Sequence, residues 1–127
     1  MPYIAYSKAT LLMSSGPGKH LHVVMTDAND TGKQHLLLSI STIRTSKYYD
    51  PQCIIKAGEH PFLISDSFVE YKFALQTDAK NLSTCVDGQI FIPKEDMNDK
   101  LFYRICDGIE KSEHTPRWAI TFFNNNA

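Results

Sequence analysis

The chain has 127 residues, 43% of them hydrophobic and 21% charged, with 13 basic against 14 acidic side chains. That length suits one domain, which at this size buries about two-thirds of its unfolded surface and needs no disulfide or metal to fold. The apolar share excludes a disordered chain, and a net charge of −1 excludes a uniformly basic nucleic-acid binder while leaving room for a local basic groove.

In chain order, the run Ala9 to Met13 is too short for a signal-peptide core. No stretch approaches the roughly 18–20 apolar residues of a membrane span. Thr10 to Met13 reads as a short strand closed by the turn Ser15-Gly16-Pro17-Gly18. A second strand covers His20 to Thr26 and ends in the polar loop Asp27 to Gly32. Gln34 to Ile43 is the most apolar strand, as expected of a central one covered on both faces. The loop Arg44 to Gln52 leads to a short strand, Cys53 to Ala57, and Phe68 to Leu75 has the aromatic and β-branched content of another.

The period then changes. Met97, Leu101, Ile105 and Ile109 recur every four positions and predict an amphipathic helix over residues 93–111, with Pro93, Glu95 and Asp96 in its first turns and Lys111 in its last. Gly108 weakens that last turn by about 1 kcal/mol relative to Ala. Thr115-Pro116 opens a second short helix or a strand, with helix preferred, and Asn124 to Asn126 read as a frayed end. The expectation is a single α+β domain, mainly β: a small half-open barrel of five to six antiparallel strands (about 10–92), a helix (about 93–111) and a C-terminal segment (112–127).

Cys53, Cys85 and Cys106 are odd in number, far apart and without a C-x-x-C pair. They read as reduced thiols of a soluble cytoplasmic domain, with Cys53 activated only if the basic loop before it folds back. His20 and His22, two apart in a strand, point to one face. They suit strand histidines facing solvent, a catalytic role for one of them, or metal binding with His35 or His60 as third ligand. The segment Ser39 to Tyr49 runs an apolar strand into hydroxyls, Arg44, Lys47, Tyr48 and Tyr49. Forked and point cations suit phosphate oxygens, and tyrosines suit a splayed base. An ordinary solvated loop has the same composition. His60, before Pro61, suits a structural turn or an acid–base group. Glu59, Asp66 and Glu70 oppose RNA on their side, although Glu70-Tyr71 in their strand can also face a substrate. Trp118 and Phe122-Phe123 suit core or an interface. Sequence signatures of serine hydrolases, zinc proteases, phosphate loops and dinucleotide folds are absent.

Three segments in order, Leu21-His22-Val23-Val24-Met25-Thr26, then Leu37-Leu38-Ser39-Ile40-Ser41-Thr42, then Phe62 to Val69 with the helix around Leu101 to Ile109, resemble the MazF/PemK-like toxins of toxin–antitoxin systems. The resemblance covers roughly residues 10 to 110, more in pattern than in identity. It implies an SH3-like barrel that forms a homodimer, is neutralised by a small antitoxin protein, and cleaves single-stranded RNA as an endoribonuclease. That cleavage uses no metal or other cofactor and proceeds by transphosphorylation to a cyclic phosphate and a 5′-hydroxyl. The family's catalytic hydroxyl falls on Thr42, with Ser41 beside it. Its catalytic Arg falls on His20, a departure that leaves proton transfer to His20 or the cation to Arg44; Ala9-Thr10 stands where the family has Gly-Asp. The expected catalytic set is His20, Thr42 and Arg44, with Lys19, Ser41, Lys47, Tyr48, Tyr49 and His60 binding substrate. The departure at His20 equally suits a non-catalytic protein- or nucleic-acid-binding module on the same barrel.

Overall fold

The computed structural model describes residues 2–15 and 18–127. Gly16 and Pro17, the centre of the first expected turn, lie outside them. Among the described residues six strands form one sheet: β1 (Thr10–Ser15), β2 (Gly18–Val24), β3 (Gln34–Thr42), β4 (Ile54–Ile55), β5 (Ser67–Asp78) and β6 (Ile92–Lys94). Their spatial order is β4-β5-β3-β2-β1-β6, every neighbouring pair is antiparallel, and the sheet curls into a half-open barrel. Helix α1 (Ala79–Asp87) follows β5, and α2 (Asp99–Lys111) and α3 (Arg117–Asn126) close the chain. Among the described residues, no helix is long and apolar enough to cross a membrane.

The strands alternate their side chains between two faces. On one face Leu21, Val23, Leu36, Leu38, Ile40, Val69 and Tyr71 pack under Leu101, Phe102, Ile105 and Ile109 of α2 and Ala119 of α3. On the other, Leu11, Met13, Val24 and Leu37 pack with Ala5 and Ala9 under Leu82 of α1. β3 is therefore buried on both sides, as its apolar run predicts. Its pairing with β5 shifts register between Leu37 and Ser39, a bulge that bends β5 where its second half becomes exposed.

The main helix starts later than the four-residue stripe predicts. Pro93 sits in β6, opposite Leu11 on an edge strand where its missing N–H costs no ladder bond. Asn98 then caps α2 by accepting from the Leu101 N–H at 2.8 Å, with Asp99 in the first turn and Lys111 in the last. Met97 keeps its place in the core from outside the helix. Helix α1 carries only a short stripe, Leu82 buried with Val86 packed beside it one turn on; Asp78 caps it through the Asn81 N–H at 2.6 Å. The C-terminal segment is helical, and the asparagines belong to it rather than to a frayed end: Asn124 Nδ2 donates to Glu110 Oε1 of α2 at 3.2 Å.

Gly108 is a requirement of packing. A Cβ there would lie 2.0 Å from the Tyr71 hydroxyl, which donates to the Ile105 carbonyl at 2.8 Å. The propensity lost in the last turn of α2 is the condition for β5 and the helix to approach closely.

Candidate functional site

The site is built where the second face of the sheet runs out of cover. β2 pairs with β3 so that His22 stands opposite Ser39, and β3 pairs with β5 so that Ser39 meets Glu70 and Ser41 meets Phe68. His20, His22, Ser39, Ser41, Phe68 and Glu70 therefore share the face that α1 covers farther along. The inner pair, His22 and Ser39, is buried; His20, Ser41 and Glu70 are half-buried and border an open groove of about 820 Å³. The loop after β3 supplies the groove's other wall with Arg44, Lys47, Tyr48 and Tyr49, and Phe73 of β5 adds an exposed ring.

One hydroxyl links the floor. Ser41 Oγ donates to Glu70 Oε2 at 2.8 Å and lies 3.3 Å from His20 Nδ1. Thr42, at the end of β3, also lines the groove, but its neighbour Ser41 makes the bonds to His20 and Glu70, because adjacent strand residues point to opposite faces. Lys19, Arg44 and Lys47 are exposed, and none is ion-paired among the described residues. Three cations thus surround the single carboxylate of Glu70, a local positive excess within a chain of net charge −1.

The loop is tied at several points. The Ile43 N–H donates to the Asp66 carbonyl at 2.9 Å, and the Lys47 N–H closes a turn on the Arg44 carbonyl at 3.1 Å. The Tyr48 hydroxyl shares a 2.8 Å hydrogen bond with His114 Nε2, yet most of its ring is open to solvent. Tyr49 packs on Phe68 with ring centroids 5.5 Å apart. At the loop's end Asp50 is buried and accepts from the Gln52 N–H at 2.9 Å and from the Ser112 hydroxyl. A smaller hollow of about 270 Å³ continues the groove past Tyr48, Tyr49 and Phe73 towards Lys72 and His114.

His60 stands apart from this set. It is buried beside the approach to α2, where Nε2 donates to the Glu95 carbonyl at 2.6 Å and Nδ1 accepts from the Phe62 N–H at 3.1 Å. Both ring nitrogens are occupied by backbone, so it acts as a turn histidine and borders a separate hollow with Phe62 and Lys94. His22 shares the face of His20 but not its exposure. Burial lowers its pKa below the usual histidine value, against the bond from its Nδ1 to the His20 carbonyl at 2.9 Å and the more distant charge of Glu70. His35 is fully buried six residues along β3 from Ser41, bonded to the Thr26 carbonyl at 2.8 Å. Neither His35 nor His60 joins the pair, and the described residues contain no group of three or more His, Cys, Asp or Glu placed to hold a metal.

The cysteines are free thiols. Burial pushes the Cys53 thiol up despite the nearby Arg104 guanidinium, and it pushes Cys106 to about 11. The basic loop faces the groove and leaves Cys53 without the activation it needs as a nucleophile.

Of the pair Glu70-Tyr71, Glu70 borders the groove and Tyr71 is fully buried on the opposite face, while Phe68 and Phe73 line the groove with no expectation attached to them. The alternation of Phe68 and Glu70 puts them on one face of β5, but only the pairing of β5 with β3 shows that this face is Ser41's. Comparisons of the chain with protein-family models, curated proteins and solved structures return no match.

Proposed function

We propose that the groove binds single-stranded RNA and cleaves it without a metal by transphosphorylation, as a toxin-like endoribonuclease of the MazF/PemK-like kind. One observation carries the reading: His20, Ser41, Thr42, Arg44, Lys47, Tyr48 and Tyr49, drawn from two strands and a loop, border one groove with unpaired cations and an open aromatic ring. Arg44 and Lys47 suit a phosphodiester, Arg by its fork of donors and Lys as a point charge. Tyr48 offers a stacking face to a splayed base. His20 serves proton transfer at the reacting oxygens, and Thr42 orients the chain at the groove's edge. The sequence resemblance adds two further expectations, a homodimer and a small antitoxin whose acidic tail fills the groove near Arg44 and Lys47.

Purified protein is expected to cut single-stranded RNA in EDTA, leaving cyclic phosphate and 5′-hydroxyl ends. The double variant His20→Ala, Arg44→Ala is expected to keep its fold and lose the cleavage. RNA left intact by the wild type, with and without added metal, removes the enzymatic reading. A second reading, a non-catalytic binding module, is favoured by His20 standing where the family has Arg. It predicts that the same double variant loses RNA affinity and that no protein sample cleaves.

A further inference from the structure

We propose that Glu70 is the second proton-transferring group of the reaction, paired with His20 and set in place by Ser41. The inference rests on the endoribonuclease reading and deepens it. Cleavage by transphosphorylation needs a base for the attacking 2′-hydroxyl and an acid for the leaving 5′-oxygen. His20 supplies one such group, and among the described residues Glu70 is the one carboxylate that borders the groove beside it.

The hydrogen bonds assign the roles. Ser41 has one hydroxyl hydrogen, and it goes to Glu70 Oε2, since a carboxylate only accepts. Ser41 Oγ therefore meets His20 Nδ1 with a lone pair, so Nδ1 carries a hydrogen and donates it across 3.3 Å. That leaves Nε2 as the ring nitrogen that gains and loses a proton, while Glu70 keeps Oε1 clear of any protein hydrogen bond among the described residues. One hydroxyl thus holds an imidazole and a carboxylate on its two sides. The charges facing them are Lys19 beside His20 on β2, and Arg44 and Lys47 on the loop, all cations suited to the phosphate between them.

In the step, Glu70 takes the proton of the 2′-hydroxyl and that oxygen forms a bond to phosphorus. The bond from phosphorus to the 5′-oxygen breaks, its electron pair stays on that oxygen, and the oxygen takes the proton from His20 Nε2. The products are a 2′,3′-cyclic phosphate and a 5′-hydroxyl. Glu70 has gained one proton and His20 has lost one, and exchange with water restores both.

The test uses full-length protein and a short single-stranded RNA, with a second RNA carrying sulfur in place of the 5′-bridging oxygen, because a thiolate leaves without an acid. Glu70→Gln and His20→Asn are each expected to lower kcat by about 10²–10⁴-fold with little change in KM. The sulfur substrate is expected to restore His20→Asn and to leave Glu70→Gln slow. Ser41→Ala is expected to lower kcat less, with recovery in Ser41→Thr. If Glu70→Gln fails to fold, the wild type alone decides: its bell-shaped pH profile is expected to lose the alkaline limb on the sulfur substrate and keep the acid limb. A Glu70→Gln protein that folds and cuts at the wild-type rate, or sulfur that rescues it and not His20→Asn, overturns the assignment while cleavage itself stands. A bell that persists on sulfur does the same. A wild type that cuts neither RNA overturns both this assignment and the reading beneath it.

Discussion

The two faces of β2, β3 and β5 are made by alternate residues of the same strands, yet they have opposite character. Leu21, Ile40, Val69 and Tyr71 look towards α2 and α3 and are essentially dry. His20, Ser41 and Glu70, their immediate neighbours in sequence, look towards a groove with a polar floor. A strand has no choice about alternation; what differs is the cover. Two helices close the first face, whereas α1 places a single buried leucine on the second and leaves the Ser41 end open. Polar groups there cost little to keep and are available to a ligand.

The comparison breaks most easily on the closed face. Ile105→Ala is expected to lower stability by about 2–5 kcal/mol, from lost burial and the cavity left behind. Arg44→Ala, exposed on the loop, is expected to stay within about 0.5 kcal/mol of wild type, and urea melts of the two variants check the contrast. Next in size, Gly108→Ala is expected to destabilise by about 1–3 kcal/mol although alanine favours a helix, because its Cβ meets the Tyr71 hydroxyl. Adding Tyr71→Phe removes that oxygen but leaves the ring carbon Cζ 2.6 Å from the new Cβ, so a double-mutant cycle should show only partial relief.

On the open face the effects fall on binding. Tyr48→Ala is expected to weaken single-stranded RNA by about 1–3 kcal/mol through lost stacking. Lys47→Ala is expected to weaken it less and to reduce the slope of log affinity against log salt by about 0.7. Fluorescence anisotropy across a salt series separates the two.

How much of this division the sequence carries follows from where the information lies. The apolar run of β3, the aromatic and β-branched β5 and the four-residue stripe of α2 are local patterns, and all three mark real elements. The cations and tyrosines of the loop Arg44 to Tyr49 are legible in the sequence as one cluster, and the structure places Arg44, Lys47, Tyr48 and Tyr49 at the groove. Glu70 is legible as a strand carboxylate able to face a substrate, but not as Ser41's partner, since their meeting depends on strand register across 29 positions of chain. His60 shows the opposite case: a histidine before proline suits a structural turn or an acid–base group, and the backbone of Phe62 and Glu95 holds both its nitrogens, leaving it outside the groove, against the expectation that it binds substrate. The late start of α2 has the same cause, because Pro93 is claimed by the edge of β1 before a helix can begin.

The smallest effect sits at the boundary between the faces. Burial lowers the pKa of His22, so in the unfolded chain this side chain takes up a proton as pH falls through about 6.5 while in the folded protein it stays neutral. Protein stability is therefore expected to fall as pH drops through that range, until folded His22 also protonates. His22→Asn keeps a donor for the His20 carbonyl and is expected to flatten that dependence in thermal melts taken between pH 7.5 and 5.5.

The central claim is that one sheet face is built for packing and the other for a ligand. Titrating isotope-labelled protein with a short single-stranded RNA, blocked against cleavage by 2′-deoxy sugars, tests it most directly by mapping amide shifts. Shifts concentrated at 18–21, 41–49 and 68–73, with α2 and α3 unmoved, are the predicted result. No shifts at all, or shifts centred on His60 or Trp118, would contradict it.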